Sequence, residues 1–253
     1  MKSLLKINNS LVRAKVASSL ILPNKGDIIK MNLDGTERQY RVLNVNGNVC
    51  KVMGMFNLTS KYNETSMTTT MGTLTVQKYE GSTLDTYLNI TWYNTLSAEA
   101  KDAIVAENII CDAWYPNSNG DPAYTGTYGS SASDTKNYTI SKYAGGTLNI
   151  GNRNVFALSV QDVIDYLSDE SMRVDTEAIL RNVNIWKMFY NSTTGEPSYP
   201  WLRSSNASYS WPAWRIHGIN GRLEYNDVTY SGGVVRPALN LDFSKIKWSI
   251  ATT

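Results

Sequence analysis

Nucleophilic and metal-binding chemistry has few candidate residues in this sequence. His217 is the single histidine, and Cys50 and Cys111 are the two cysteines among 253 residues. Because a conventional zinc site needs three or four well-spaced nitrogen, sulfur or carboxylate ligands, this set cannot supply one. A serine–histidine–aspartate system would have to use His217, which lies between Arg215 and Arg222. We therefore predict that His217 is a contact residue, with no catalytic residue, no metal and no cofactor in the chain.

Carboxylate chemistry is no better defined. Glu196-Pro197-Ser198 and Tyr225-Asn226-Asp227 echo the two calcium-binding segments of calcium-dependent lectins, but both lack a key residue, and calcium needs about six to eight oxygen ligands. Among the 22 acidic residues, spacing singles out no pair as the two carboxylates of a glycoside hydrolase. Glycine-rich phosphate-binding loops are absent from the sequence. An enzyme therefore stays only as the alternative interpretation.

The composition favours non-covalent binding. The chain has 16 Tyr and 7 Trp against 4 Phe, and it is rich in Asn, Ser and Thr. Tyr and Trp supply rigid contact area, while Ser, Asn and Gly supply adaptable hydrogen bonds; an ordinary β-rich protein would also explain this mixture. The net charge of +2 gives no argument for a nucleic-acid partner. Because no apolar run approaches about 20 residues, we expect no membrane insertion.

Candidate contact residues concentrate in the stretch 201–241. Asn220-Gly221 between two alternating runs predicts a hairpin, in which Trp214 and Ile216 face the core and their neighbours face outward. We expect Trp201 and Trp214 to be buried. For Trp211 the sequence leaves two roles open, packing in the core and contact with a ligand. The predicted ligand-binding residues are Ser205, Asn206, Ser208, Tyr209, Ser210, Trp211, Arg215, His217, Ile219, Arg222, Glu224, Asp227 and Thr229.

Three further side-chain roles follow from apolar surroundings. Arg203 and Arg236 are interpreted as structural partners of buried carboxylates rather than as ligand contacts. Cys50 and Cys111 each lie in an apolar run, which favours buried free thiols over a disulfide. In the stretch 201–241, Leu223, Tyr225 and Val228 are expected to anchor the strands together with Trp214 and Ile216.

The elements that must hold this stretch are predicted from turns, caps and periodicity. Asp34-Gly35 and Asn46-Gly47 predict a three-stranded meander, and Ser82, Ser97 and Ser159 predict helix starts. The predicted strands are 27–31, 38–45, 49–56, 72–78, 154–159, 213–219, 222–225 and 234–241. The predicted helices begin near 84, 98 (to 108) and 160, and another short helix is expected within 174–190. The predicted loops are 65–70 and 112–150. Pro237 is expected at a sheet edge or strand end.

Two regions are predicted. Residues 1–23 are interpreted as an amino-terminal tether or an oligomer contact, through which a homo-oligomer would form, and residues 24–253 as one ligand-binding domain. The amino end has basic residues, but Asn8-Asn9-Ser10, Arg13 and Lys15 interrupt its apolar core. We therefore expect no signal peptide, and a protein that is made intracellularly or exported as part of a particle.

Several motifs resemble one domain family. They are Trp201-Leu202-Arg203-Ser204 and Val235-Arg236-Pro237-Ala238-Leu239-Asn240-Leu241, with earlier matches around Gly26-Asp27, Tyr40-Arg41-Val42-Leu43, 81–93 and 156–159. Over residues 25–243 the sequence resembles a bacterial and phage domain family of unassigned function with a C-type-lectin fold, the fold of formylglycine-generating enzymes. The resemblance implies an α+β, C-type-lectin-like fold with short helices packed on small antiparallel sheets and a long loop-rich carboxyl-terminal half.

The resemblance also implies a function. Such domains serve in phage tails and on bacterial surfaces, and some are variable proteins of diversity-generating retroelements, whose carboxyl-terminal segment is rewritten at adenines. We therefore expect a non-enzymatic display protein on a phage virion or a bacterial cell surface. It would contact a host-cell or bacterial surface protein or glycan through residues 205–230, and it would serve in host recognition and adhesion. The formylglycine-generating enzymes use paired cysteines near the carboxyl end, and no cysteine follows Cys111. An enzyme of that fold, a hydrolase, and a structural virion or surface component stay as alternatives.

Overall fold

Strands outweigh helices in this mixed α and β chain. The structure is a computed structural model that describes residues 22–59, 61–116, 121–125, 139–167, 198–216 and 223–251. The predicted tether up to residue 21, the predicted helix at 174–190 and the turn at Asn220-Gly221 lie outside these residues. Within the described ranges, no helix is long and apolar enough to cross a membrane.

The secondary-structure elements are mostly short. The strands are β1 (Ile28–Asn32), β2 (Glu37–Asn46), β3 (Val49–Gly54), β4 (Leu58–Thr59), β5 (Thr68–Met71), β6 (Leu74–Gln77), β7 (Glu107–Cys111), β8 (Ala113–Tyr115), β9 (Asp121–Thr125), β10 (Thr139–Lys142), β11 (Leu148–Arg153), β12 (Trp201–Asn206), β13 (Pro212–Ile216), β14 (Leu223–Asp227), β15 (Val234–Val235), β16 (Ala238–Asp242) and β17 (Ser249–Ile250). The helices are α1 (Thr83–Thr86), α2 (Tyr93–Thr95), α3 (Ala98–Ala103) and α4 (Val160–Leu167), and a π-helical turn (Tyr87–Trp92) joins α1 to α2.

The predicted meander is confirmed as the centre of a five-stranded antiparallel sheet. Its strand order is β16-β3-β2-β1-β17. Gly35 and Gly47 adopt φ angles of 87° and 57° in the two turns, a conformation that costs glycine little. Carboxyl-terminal strands close both edges, because Leu239 pairs with Val52 and Ile250 pairs with Ile29.

A six-stranded sheet carries the stretch that the sequence singled out. Its order is β14-β13-β12-β8-β10-β9. β12 and β8 are parallel, with Ser205 opposite Ala113, and the other neighbours are antiparallel. The prediction of a loop over 112–150 is therefore wrong for the parts that form β8, β9, β10 and the start of β11. Residues 117–120 and 126–138 of that range lie outside the described residues. The Gly-rich and Ser-rich composition of this range shows little periodicity, and two of its strands, β8 and β11, pair with strands outside it.

The three predicted serine caps are confirmed. The hydroxyl oxygens of Ser82, Ser97 and Ser159 accept hydrogen bonds from the backbone N–H three residues later, at 3.1, 3.0 and 3.0 Å. The second predicted helix ends at Ala103 rather than at residue 108. The residues after Ala103 are extended. The N–H of Val105 donates to Asn240 O at 3.0 Å, and it is therefore not available for a helical hydrogen bond.

Three other boundaries differ from the predictions. Residues 154–159 form no strand, since only Phe156 makes a bridge, to Ala238. The polar loop at 65–70 is half strand, because β5 pairs with β6 in a hairpin. Pro237 divides the last predicted strand into β15 and β16, as its missing N–H requires.

One buried cluster joins the sheets and helices. Trp114, Trp201 and Trp214 are among its largest fully buried side chains, so the predictions for Trp201 and Trp214 are confirmed. Cys50 and Cys111 are buried free thiols, as predicted. Burial raises the pKa of Cys50 to about 11 and that of Cys111 to about 12.

Candidate ligand-binding surface

Three aromatic side chains form a partly exposed group, here called the aromatic cluster: Tyr209, Trp211 and Tyr225. The ring centroid of Tyr209 lies 5.9 Å from that of Trp211 and 6.2 Å from that of Tyr225, and the Trp211 and Tyr225 centroids are 6.4 Å apart. Tyr209 is 48% exposed and Trp211 is 44% exposed. The cluster is thus a group of aromatic rings that pack on one another and are partly open to solvent.

The aromatic cluster rests on a buried base. Tyr225 packs edge-on against Trp214, with ring centroids 5.7 Å apart, and the two residues are a cross-strand pair of β13 and β14. Trp214 is fully buried, and its Nε1 donates to the carbonyl oxygen of Trp114 at 3.2 Å. The platform is therefore held by the six-stranded sheet rather than by a loop alone.

Asn206 shapes the loop that carries Tyr209 and Trp211. Its Oδ1 accepts hydrogen bonds from the N–H groups of Ser208 at 2.7 Å and Tyr209 at 3.1 Å, an Asx turn. Asn206 is fully buried and Ser205 is 1% exposed. The prediction that these two side chains contact a ligand is wrong, because β12 is an interior strand buried along its whole length.

Gln77 joins this loop to another one, and nothing in the sequence pointed to it. Its Oε1 accepts from Met67 N at 3.2 Å, and its Nε2 donates to Ser66 Oγ at 2.5 Å and to the carbonyl oxygen of Ser210. Ser205 Oγ donates to the Gln77 backbone oxygen at 2.6 Å. Gln77 is 1% exposed, so a buried amide connects the loop at 61–67 with the loop at 207–211.

Arg215 and Glu224 were predicted as outward contacts, and this prediction is wrong. Each is 6% exposed, and Arg215 Nε lies 2.5 Å from Glu224 Oε1. The guanidinium group is 4.7 Å from the ring centroid of Tyr199 and 4.8 Å from that of Tyr230. Alternation predicted an open face, but β13 has buried residues on both of its faces. The Arg215–Glu224 pair therefore has a structural role, as a buried ion pair between β13 and β14, here called the frame of the surface.

Other predicted contact residues stay at the surface. Ser208, Asp227 and Thr229 are exposed and Ser210 is half-buried. Asp227 Oδ1 accepts from Thr229 N at 2.9 Å and from Thr229 Oγ1 at 2.7 Å, which fixes the turn after β14. His217, Ile219 and Arg222 lie outside the described residues.

The anchoring prediction holds for the neighbours of these contacts. Ile216, Leu223 and Val228 are buried, and Tyr225 is half-buried. Tyr230, which was not among the predicted contact residues, is 41% exposed. The surface therefore has the predicted apolar support, with one more aromatic side chain at its margin.

A second group of charged side chains lies around Arg203 and Asp162. Arg203 Nη1 is 2.6 Å from Asp162 Oδ2, and Lys51 Nζ is 2.9 Å from Glu107 Oε1 and 3.9 Å from Asp162 Oδ1. Burial by itself would raise the pKa of Asp162, but the two cations and the hydrogen bonds from Ser159 and Arg203 outweigh burial and hold this pKa below its ordinary value. The predicted structural role of Arg203 is confirmed.

Arg236 is 3% exposed, and burial lowers its pKa to about 9. Among the described residues, no three histidine, cysteine, aspartate or glutamate side chains gather so that they could hold a metal ion. A groove of about 560 Å³ lies along the β1 edge, lined by residues that include Lys30, Ile246 and Trp248, but it does not include the aromatic cluster.

A model of the family described as "Domain of unknown function (DUF6273)" matches residues 56–243. The chain belongs to the DUF6273 family. The DUF6273 region contains the aromatic cluster, Gln77, the Arg215–Glu224 pair and the last long strand, β16, while β1 to β3 precede it. No curated protein and no solved structure matches the chain.

Proposed function

We propose that this protein is a non-enzymatic display protein that binds a protein or glycan on a host or bacterial cell. The aromatic cluster is the contact surface, together with Ser208, Ser210, Asp227 and Thr229. The observation that carries the proposal is the 48% and 44% exposure of Tyr209 and Trp211 on a base that Trp214 and its hydrogen bond to Trp114 hold in place.

The energetics of recognition support this choice. Removing a central Trp or Tyr contact from an interface costs about 2 kcal/mol or more, and a platform that is already ordered loses little conformational freedom on binding. The neighbouring hydroxyl and carboxylate groups of Ser208, Asp227 and Thr229 supply the polar rim that specific interfaces have.

The proposal includes a fold and a location: the surface belongs to a C-type-lectin-like domain on a phage virion or a bacterial cell surface. The short helices and the mostly antiparallel sheets support that fold, since they are close to the arrangement that the sequence resemblance implies. The motif pair at 201–204 and 235–241 supports it as well, because β12 carries the first motif and β16 carries the last four residues of the second, in the two main sheets.

The division between buried and exposed residues refines the retroelement hypothesis. If the segment is rewritten at adenines, changes fall on the exposed positions Ser208, Tyr209, Trp211, Asp227 and Thr229. The buried residues, Ser205, Asn206, Arg215 and Glu224, are then fixed because their hydrogen bonds and ion pair hold the frame.

A cell-binding assay tests the contact surface. Tyr209→Ala and Trp211→Ala should abolish binding of the purified protein to cells of its host, with an unchanged melting temperature. Val105→Ala, at a position that is 40% exposed on another part of the chain, is the matched control and should bind as the wild type does. Unchanged binding by both aromatic variants would refute the proposal.

The retroelement hypothesis has its own test. In the genome that encodes this chain, a near-copy of the 3′ end of the gene should differ from it at adenines. Those adenines should fall in the codons of the exposed positions and not in the codons of Asn206, Arg215 and Glu224. A genome without such a near-copy would exclude retroelement diversification and leave the binding proposal in place.

A further inference from the structure

A groove of about 340 Å³, with both hydroxyl and apolar groups in its lining, lies beside the loop at 61–67. One wall is the helical segment 83–91, from which Thr83, Thr86, Tyr87 and Thr91 line the groove. These residues recur at helical spacing, and the opposite side of the same segment carries Leu84, Leu88 and Trp92, which are buried. The segment thus packs its apolar side on the core and presents a threonine side to the groove.

The other wall is formed by loop residues that include Asn63, Glu64, Thr65 and Met67. Thr83 N donates to Asn63 Oδ1 at 3.0 Å, and Glu64 N donates to Thr83 Oγ1 at 3.3 Å. Hydrogen bonds therefore tie the two walls together, and the groove exists before any ligand enters. We call it the threonine groove.

The threonine groove and the aromatic cluster adjoin through shared contacts. Asn63 N donates to Val228 O at 3.0 Å, next to the exposed residues Asp227 and Thr229. Gln77 Nε2 donates both to Ser66 and to Ser210, so the loop that forms a groove wall is bonded to the loop that carries Tyr209 and Trp211. The segments that carry the two sites are therefore hydrogen-bonded to one another.

The lining chemistry selects a neutral, hydroxylated ligand. Glu64 is the one charged residue among the described residues that line the groove, and its Oε2 is 2.7 Å from Lys61 Nζ. A phosphate or a sulfated ligand would meet no lining cation there. Threonine side chains offer a hydroxyl and a methyl group side by side, and Tyr87 and Met67 add apolar surface, which matches the alternating hydroxyl and C–H surface of a sugar ring.

We propose that the threonine groove is a saccharide subsite, and that the ligand of this protein is a neutral oligosaccharide that spans the groove and the aromatic cluster. This inference rests on the proposed function, because it names the ligand class of the same surface. In the bound state Trp211 or Tyr209 stacks on one sugar unit, and the hydroxyl groups of Thr86 and Thr91 hydrogen-bond a neighbouring unit.

The test is binding of free neutral oligosaccharides, of three or more hexose or N-acetylhexosamine units, and of their sulfated counterparts, to the full chain. The double variant Thr86→Val and Thr91→Val keeps the side-chain volume and removes two exposed hydroxyl groups. It should bind the neutral ligand about tenfold more weakly at an unchanged melting temperature, the loss expected for two hydrogen bonds. The control, Thr70→Val and Thr75→Val, changes an exposed cross-strand pair outside the groove and should bind normally.

The outcomes separate this inference from the proposed function. If the protein binds cells through Trp211 but binds no neutral oligosaccharide, the saccharide inference fails and the proposed function stands. If an oligosaccharide binds, Trp211→Ala abolishes its binding and the groove variant has full affinity, the groove subsite is refuted and the aromatic surface stands. If neither cells nor saccharides bind, both proposals fail.

Discussion

Gln77 Nε2 donates a hydrogen bond to the carbonyl oxygen of Ser210, 133 residues further along the chain. The same amide group bonds Ser66 and the N–H of Met67. Through this one buried side chain, two loops that are distant in sequence become one surface. The order of the proposed binding surface therefore depends on a residue that no ligand touches.

Replacing Gln77 with Glu should loosen the surface. A carboxylate can still accept from Met67 N, but it cannot donate to Ser210 O, so a buried acceptor is left unsatisfied at a cost of about 1–3 kcal/mol. Hydrogen exchange measured by mass spectrometry should become faster for the amides of 207–211 and should stay unchanged for those of the meander at 28–54. Gln39→Glu, at an exposed position of β2, is the control. Unchanged exchange at 207–211 would contradict the positioning role.

The Arg215–Glu224 pair should be worth far more than a surface pair. Glu224→Ala leaves a buried guanidinium group without its carboxylate, which costs about 3–5 kcal/mol. Urea denaturation measures the free energy of unfolding. Glu37→Ala, which removes an exposed partner of Lys30 at 3.7 Å, should cost about 0–1 kcal/mol. Equal losses in the two variants would mean that the Arg215–Glu224 pair is not part of the frame.

Acid should weaken the fold through Asp162. Its pKa is lowered in the folded state, so its ionised form stabilises the fold above the unfolded-state pKa of about 3.9, and this contribution is lost as the pH falls through the folded-state pKa. Asp162→Asn should be less stable at pH 7 and should lose less stability between about pH 4 and pH 2. Thermal melting at a series of pH values measures both. A variant with the slope of the wild type would exclude Asp162 as a source of the acid response.

The two thiols should be inert in the folded protein. Burial raises the pKa of Cys50 to about 11 and that of Cys111 to about 12, and the thiolate is the reactive form. At pH 8, a thiol reagent should label neither cysteine until urea unfolds the chain, after which both should react. Rapid labelling of the native protein at Cys111 would show that the core around β7 opens far more readily than its burial implies.

Local signals made much of the scaffold predictable. Asp34-Gly35 and Asn46-Gly47 fixed the meander because their turn geometry is decided within a few residues. Ser82, Ser97 and Ser159 marked helix starts for the same reason, since a cap needs only the next three residues. Tyr209 and Trp211 lie in a Ser-rich and Pro-containing loop and are partly exposed, so they stay predicted contact residues.

The errors arose where distant parts of the chain decide burial. Arg215 and Glu224 alternate with apolar residues, a pattern typical of a strand with one open face. Here β12 and β8 extend the sheet beside β13, and Tyr199 and Tyr230 cover the guanidinium group. The role of Gln77 depends on a contact across 133 residues, and no periodicity within β6 encodes it.

The pairing of Ile29 with Ile250 has a practical consequence for reuse of this domain. The two ends of the described part of the chain leave from neighbouring strands at one edge of the first sheet, whereas the aromatic cluster belongs to the other sheet. The domain can thus be inserted into a surface loop of a carrier protein. The two splice points in the carrier need to be only about one strand spacing apart, about 5 Å. In a grafted copy, the proposed contact residues would lie on the sheet that does not contain the splice points.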